Sequence, residues 1–433
     1  MIPRLAWLLL VLALTAAMSL LVWHNLSIRF ISDTRFELNK AALDSLYRRI
    51  PNSPRLNLRL ALLHLSEVTP NESALNDAEF HARAAVNHWL WDYRAQQVLG
   101  TILEMRGDEV GAEQALRKSV NLSPNYTRAN WALGNLLLRQ GRVGEAIPML
   151  RRAALSSDDL YLQIYDMLWQ VSGGNIDPLR ELAVDNTTAQ LILIRYLFDR
   201  SLPDQAFELF RSIDRSARLR SAKTDWLISQ LVAGGAISAA RQLWADMMTE
   251  QGAAAVAGIW NGNFELETSL DTVDRPKIAE YFDWRFAPSI YSRIGIDSIS
   301  SGNGQRSLRL SFVGHDTTTL RDEVRQPISL RPGGRYQLEF SYRTLDLQTP
   351  EGPRVAIMSG AETVASSLPI PAGSVDGWQR ASFQFVAPPD DRPKHLAIIR
   401  IPKFSYDDPT RGSVWFDDLT LRELPPETGM IER

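Results

Sequence analysis

The sequence predicts a multidomain chain: an N-terminal transmembrane helix, an all-α repeat solenoid, then an all-β sandwich. Three observations carry this reading. Leu5 to Trp23 is an apolar run without a charge. From there to about residue 257, apolar residues recur at helical spacing with a period of 34 residues. From Gly258 the alternation drops to two, and Gly- and Pro-rich turns interrupt it. A chain of 433 residues is too long for one ordinary domain, and 45% hydrophobic with 22% charged residues is a globular composition. The formal net charge of -3, with no run of Lys and Arg, gives no sign of a nucleic-acid partner. The absence of cysteine excludes disulfides, thiolate metal sites and a cysteine nucleophile. The expected domains are 1–28 (anchor), 29–257 (helical repeats), 258–424 (sandwich) and a tail, 425–433.

As a helix, residues 5–23 span roughly 28 Å, about the hydrocarbon thickness of a bilayer. Trp7 and Trp23 sit at its ends, where indoles favour the interface. The rival is a cleaved signal peptide with Thr15 and Ala17 as the small-x-small site, but apolar residues continue to Trp23. Arg4 lies on one side and Arg29, Arg35 and Lys40 on the other, so the positive-inside count leaves orientation open. That continuation favours an uncleaved anchor, and the short N-terminal flank makes a start-in topology the easier one. The expected place is a bacterial inner membrane, with the bulk of the chain periplasmic.

The helical period is read from Leu99-Gly100, which matches Leu133-Gly134; one period earlier lies Leu65-Ser66. Ala78, Ala112 and Ala146 repeat in a second phase, and Ala85, Ser119 and Ala153 in a third. Gly141 separates two apolar stripes as a hairpin turn requires, and Pro124 closes a unit. This pattern resembles the tetratricopeptide repeat, a helix-turn-helix unit. It is clearest over Tyr93 to Asn125 and Thr127 to Leu160, extends to a unit starting near Arg59, and decays beyond Leu160 into helices broken at Pro203 and Gly234-Gly235. The resemblance implies a stack whose first helices line a groove for a protein partner, expected in the envelope. By phase, that groove carries Arg94, Gln97, Thr101, Arg128, Trp131, Asn135 and Leu138. The alternative is that Trp131 packs between repeats and the arginines are solvated.

In the last segment, Leu308, Leu310 and Phe312 share one face, as do Tyr336, Leu338, Phe340 and Tyr342, and Phe383 with Phe385. "HLAIIRI" is apolar on both faces, as in a central strand. Many short strands between "SGNG", "RPGG", "PAGS" and "APPDD" read as an antiparallel sandwich or jelly roll. The order "NGNFE", Trp284, "SLRLSF", "QPISLRPGGRYQLEFSYRT", "GWQRASFQFVAP", "GSVWFDDLTLRE" is similar to the jelly-roll carbohydrate-binding modules of xylanases and endoglucanases. The resemblance implies a sugar-binding fold with "NGNFE" as its first strand. No cofactor is required; a structural calcium is the metal the resemblance implies, with Glu265 and Asp418 as ligands and Asp417 a competitor. A polysaccharide is the implied ligand, and Tyr281, Trp284, Tyr291, Phe404 and Tyr406 are the rings that would stack on it. The face opposite the Tyr336 stripe holds Gln337, Glu339, Ser341 and Arg343, with Arg309 and Gln384 in phase; it is either a solvated face or a site for an acidic glycan.

No catalytic constellation stands out. The six histidines show no metal-ligand spacing, His81 and His88 being seven apart. The sequence offers no phosphate-binding loop and no nucleophile elbow. The expected function is therefore a non-enzymatic, membrane-anchored scaffold: repeats on a protein partner, sandwich on a polysaccharide, in polysaccharide assembly or export. The alternatives are a glycoside hydrolase or lyase using Asp407 and Asp408, and a protein-interaction scaffold with no sugar ligand. The unbroken "ADMMTEQGAAAVAGIW" further predicts that the sandwich packs directly on the last helical hairpin, near Trp244, Met247 and Met248.

Overall fold

The computed structural model describes residues 13–23, 40–66, 71–248, 258–271, 281–299, 304–315, 317–390, 392–402 and 409–425. They form helices followed by two antiparallel sheets. By contact the chain divides into two compact units, Met1–Ala189 and Gln190–Arg433.

In the first unit, residues 13–23 are helical (α1); the rest of the expected anchor, 5–12, lies outside the described residues. Among the described residues no helix is long and apolar enough to cross a membrane. Then follow α2 (Lys40–Arg49), α3 (Pro54–Leu65), α4 (Glu72–His88), α5 (Tyr93–Met105), α6 (Glu109–Leu122), α7 (Thr127–Arg139), α8 (Val143–Ala154), α9 (Asp159–Val171) and α10 (Asp177–Ala183). The small residues sit where helices touch: Ala78, Ala112, Ala146, Ala85, Ser119 and Ala153 are all fully buried. A Cβ on Gly100 or Gly134 would come within 2.6 Å of Leu116 or Leu150 on the following helix. Glycine is what allows α5 to approach α6, and α7 to approach α8, this closely.

One expected register is corrected. Leu65 and Ser66 do not hold the Leu-Gly position of the earlier unit; Ser66 is the exposed C-cap of α3. Leu60 and Ala61, five residues earlier, are buried instead. The hairpin after α3 carries the extra length, so the period holds on the second helix and slips on the first. The helix starts also repeat. Asn57 Nδ2 donates to the carbonyls of Pro51 (2.7 Å) and Ser53 (3.0 Å), and Asn130 Nδ2 does the same to Pro124 (2.8 Å) and Tyr126 (3.0 Å). Each buried amide satisfies carbonyls of the preceding turn and fixes the angle at which the chain enters the helix.

The boundary to the second unit falls within α11 (Thr187–Asp199). That unit continues with α12 (Pro203–Ser212), α13 (Arg215–Arg220), α14 (Ala222–Ala233) and α15 (Ile237–Met248). The strands are β1 (Arg285–Phe286), β2 (Ser292–Asp297), β3 (Ser307–Val313), β4 (Val324–Ile328), β5 (Arg335–Gln348), β6 (Arg354–Ser359), β7 (Glu362–Ser366), β8 (Gln379–Val386), β9 (Lys394–Ile399) and β10 (Arg411–Leu424). They make two five-stranded sheets, ordered β1-β4-β9-β6-β7 and β2-β3-β10-β5-β8. The inward stripes meet as expected: Leu308, Leu310, Phe312, Tyr336, Leu338 and Phe340 of one sheet pack with Leu396 and Ile398 of the other. Strand β9, from "HLAIIRI", is central between β4 and β6.

"NGNFE" is not the first strand. Asn261 and Phe264 both have positive φ (48° and 53°), outside the extended region of a regular strand, and the segment pairs with no strand of either sheet. The segment is a turn fixed on all sides. Its Phe264 enters the core, Trp260 N–H donates to Gln326 Oε1 (3.0 Å), and Leu419 N–H donates to the Gly262 carbonyl (2.9 Å). A Cβ on Gly262 would meet the Leu419 carbonyl oxygen at 2.1 Å, so only glycine fits there.

Within this unit, α15 packs directly on the sandwich. The Trp244 ring meets Trp260 at 4.8 Å and Phe282 at 5.6 Å, both edge-on. Met247 is buried, while Met248 is half exposed. Beside Trp244, the fully buried Arg241 donates to the carbonyls of Gly258 (2.8 Å), Pro327 (3.2 Å) and Phe282 (3.4 Å).

Candidate functional site

Alternation along β3, β5 and β10 sends every second residue away from the core, onto one open face of the second sheet. Across its upper rows, Trp415 on β10 pairs with Arg309 on β3 and Arg343 on β5. The Arg309 guanidinium lies 5.1 Å from the Trp415 ring centroid and that of Arg343 at 5.9 Å. Together they leave the ring only 3% exposed. Trp415 Nε1 donates to Asp297 Oδ2 (3.0 Å), and Arg309 Nε donates to Ser311 Oγ (2.9 Å). The indole thus serves as a platform that holds two guanidinium planes at the surface.

The same face opens into a cavity of about 640 Å³ lined by Glu339, Ser341, Arg380, Ser382, Thr420 and Arg422, together with Asn263, Glu265 and Gly304. Strand β10 bulges there, between Asp417 and Thr420, with Asp418 at φ 50°. The bulge turns the chain toward the Gly258–Leu266 turn and widens the cavity. Hydroxyls, carboxylates and guanidinium groups converge, which suits hydrogen bonding to a hydroxyl-rich ligand.

Glu265 and Asp418 both line this cavity, so the structure brings together the two carboxylates considered for calcium. Glu265 Oε1, however, already accepts from the amides of Gln305 (2.7 Å) and Arg306 (2.9 Å). Among the described residues no three His, Cys, Asp or Glu side chains gather at metal-binding distance. A calcium there would draw most of its six to eight oxygens from carbonyls and water.

Among the described residues, the stacking rings expected from sequence, Tyr281, Trp284 and Tyr291, do not line this cavity. Trp284 is corrected outright: it is 2% exposed, packs 5.1 Å from Phe264, and donates Nε1–H to the Asn261 carbonyl (3.0 Å). It is a core residue and offers no face to a sugar. Tyr281 is half-buried, with its hydroxyl donating to the Asp225 carbonyl (3.4 Å). Tyr291 stands edge-on to His315 at 6.0 Å. Phe404 and Tyr406, with Asp407 and Asp408, lie outside the described residues. The ring that does sit on the open face, Trp415, was missed. Its signal was present in "SVWFDD": Val414 and Phe416 alternate with it and face the core.

On the repeats, Arg94 and Arg128 are exposed and Gln97, Thr101, Trp131 and Asn135 are half-buried on α5 and α7. Arg94 is tied to the N-cap Asp92 (3.3 Å), and Gln97 Nε2 donates to Thr101 Oγ1 one turn on (3.0 Å). Leu138 is corrected: at 5% exposure it belongs to the helix-packing core, not to a groove surface.

No family model and no curated protein matches the chain. Solved structures that resemble parts of it include one described as "CBM4 structure and function". It is 18% identical at a TM-score of 0.27, over 38% of this chain and 99% of that one. A "Family 16 Carbohydrate Binding Module-2" is 15% identical at a TM-score of 0.25, over 38% and 97%. MamA is 18% identical at a TM-score of 0.29, over 34% of this chain and 83% of that one.

Proposed function

We propose that this chain is a non-enzymatic scaffold anchored in the inner membrane by residues 5–23, its bulk in the periplasm. Its helical repeats hold a protein partner of the envelope, and its sandwich binds or guides a polysaccharide during assembly or export. The observation that carries the sugar half is the open sheet face with its 640 Å³ cavity, lined by Ser341, Ser382, Thr420, Glu339 and Arg380. A polar cavity on a sheet face suits a hydroxyl-rich polymer better than a compact apolar ligand. The half-exposed Trp131 between Arg128 and Asn135 supports the protein-partner half. The full chain on a glycan array tests the reading: retention of a polysaccharide, lost when Ser341 and Ser382 are both replaced by Leu, is expected. Retention of no glycan sinks the sugar half and leaves a protein-interaction scaffold. Release of reducing ends from any bound polymer overturns the non-enzymatic assignment.

A further inference from the structure

The geometry points to an anionic ligand: a polysaccharide carrying carboxylate or sulfate groups, held through the Arg309–Trp415–Arg343 row. This rests on the polysaccharide reading and narrows it. Arg293, Arg309 and Arg343 lie within two rows of one sheet face, because Arg293 pairs with Ser311 and Arg309 with Trp415. Among the described residues the one ion pair these three cations make is Arg309 with Asp297 (3.4 Å), an acid shared with the Trp415 indole, while the buried Asp417 stands in the next row on β10. Among the described residues Arg343 has no carboxylate partner, and its buried Nε has no hydrogen-bond acceptor. A surface arginine ordinarily finds an acid or points freely into water. Here two are held against one indole, 5.1 and 5.9 Å from its centroid, which lowers the ordering cost of binding a planar or tetrahedral anion.

The spacing suits a polymer rather than a single ion. Arg309 and Arg343 stand on strands two apart, about 10 Å from each other at the usual strand spacing. Arg380, exposed on β8 opposite Ser341, adds a fourth cation at the cavity beyond. The row would take the charged groups and the cavity the hydroxyls of the same chain. Gly295 completes the row beside Arg309, and no atom lies within 4 Å of the place where its Cβ would be. That open ground lets a ligand reach the Arg309 guanidinium.

Matched polymers test this on the full chain in detergent at physiological salt. Polygalacturonate is compared with its methyl ester, dextran sulfate with dextran, and single-stranded DNA serves as a polyanion without pyranose rings. One of the charged glycans should bind at least about tenfold tighter than its uncharged match, and Arg343→Gln and Arg380→Gln should each lose about tenfold. Gly295→Glu, which sets a carboxylate against Arg309, should lose as much, while Gly295→Ala should bind normally. Which charged glycan binds tells carboxylate from sulfate. Equal binding of the uncharged matches, unaffected by the variants, overturns the anionic inference and leaves the polysaccharide reading standing. Binding of none of the glycans overturns both. DNA binding as tight as either glycan shows a general polyanion surface and also overturns it.

Discussion

Arg241 and Trp244, one helical turn apart on α15, act as a pair: the guanidinium stacks 5.3 Å from the indole while its nitrogens reach carbonyls of the sandwich. Burial pushes this guanidinium down to about 10, and the nearby Asp283 opposes the shift. Removing the cation leaves the carbonyls of Gly258, Phe282 and Pro327 without this donor. Arg241→Met is expected to destabilise the second unit by about 3–5 kcal/mol in urea unfolding. Lysine should not restore it, because a single ammonium cannot span three acceptors. Stability equal to the wild type in Arg241→Met would show that the pair only fills space.

The contact of Gly134 with Leu150 gives a second prediction. Gly134→Val should cost about 1–3 kcal/mol, because the branched side chain meets Leu150 inside the packing radius. Gly144→Ala is the control: nothing lies near its Cβ, and a gain of about 0.5 kcal/mol is expected from chain entropy. Equal effects of the two changes would refute close packing as the reason for Gly134.

Acid should weaken the first unit through His81. Its pKa is lowered by burial and by His64, against Asp77 and Asp44, while Nδ1 bonds Asn57 Oδ1 (2.8 Å). A lowered folded-state pKa means the unfolded chain takes up the proton first. Stability is therefore full above the ordinary histidine value of about 6.5 and falls as pH drops below it. Thermal melts from pH 7.5 to 5 should show this loss, and His81→Gln should shrink it. His395 on β9, lowered by burial despite Asp322, shifts the same way and adds a separate loss in the second unit. An unchanged profile in His81→Gln would remove His81 from the account.

Calcium can be judged by melting. With Glu265 Oε1 already committed to two amides, chelation is expected to leave the melting temperature unchanged within error. A rise of several degrees on adding calcium but not magnesium, abolished in Asp418→Asn, would instead assign Glu265 and Asp418 as ligands.

The succession of helices and then strands, and the inward stripes of β3 and β5, were legible because periodicity reports which face is buried. Side-chain destinations were less so. Trp284 follows a loop-like stretch and reads as exposed, yet a tertiary contact with Phe264 takes it into the core. Alternation in "SVWFDD" sets Trp415 opposite the core-facing Val414 and Phe416, but its work as a platform depends on Arg309 and Arg343, which lie far along the chain. The slip at Leu60 and Ala61 escaped the 34-residue period because the extra residues fall in a hairpin, where length is free to vary. The "NGNFE" turn was hidden for another reason: φ values of Asn261 and Phe264 are set by partners far along the chain, Gln326 and Leu419.

The grip of Arg241 on the sandwich has a consequence for how such a joint can change. At Gly258 and Pro327 it reads only main-chain oxygen, which every amino acid supplies alike. The side chains at position 258 and at position 327 of β4 can change without the helix losing its hold, provided the backbone keeps its path. The joint thus separates attachment from recognition, leaving the far sheet free to acquire new ligands while the seam stays shut.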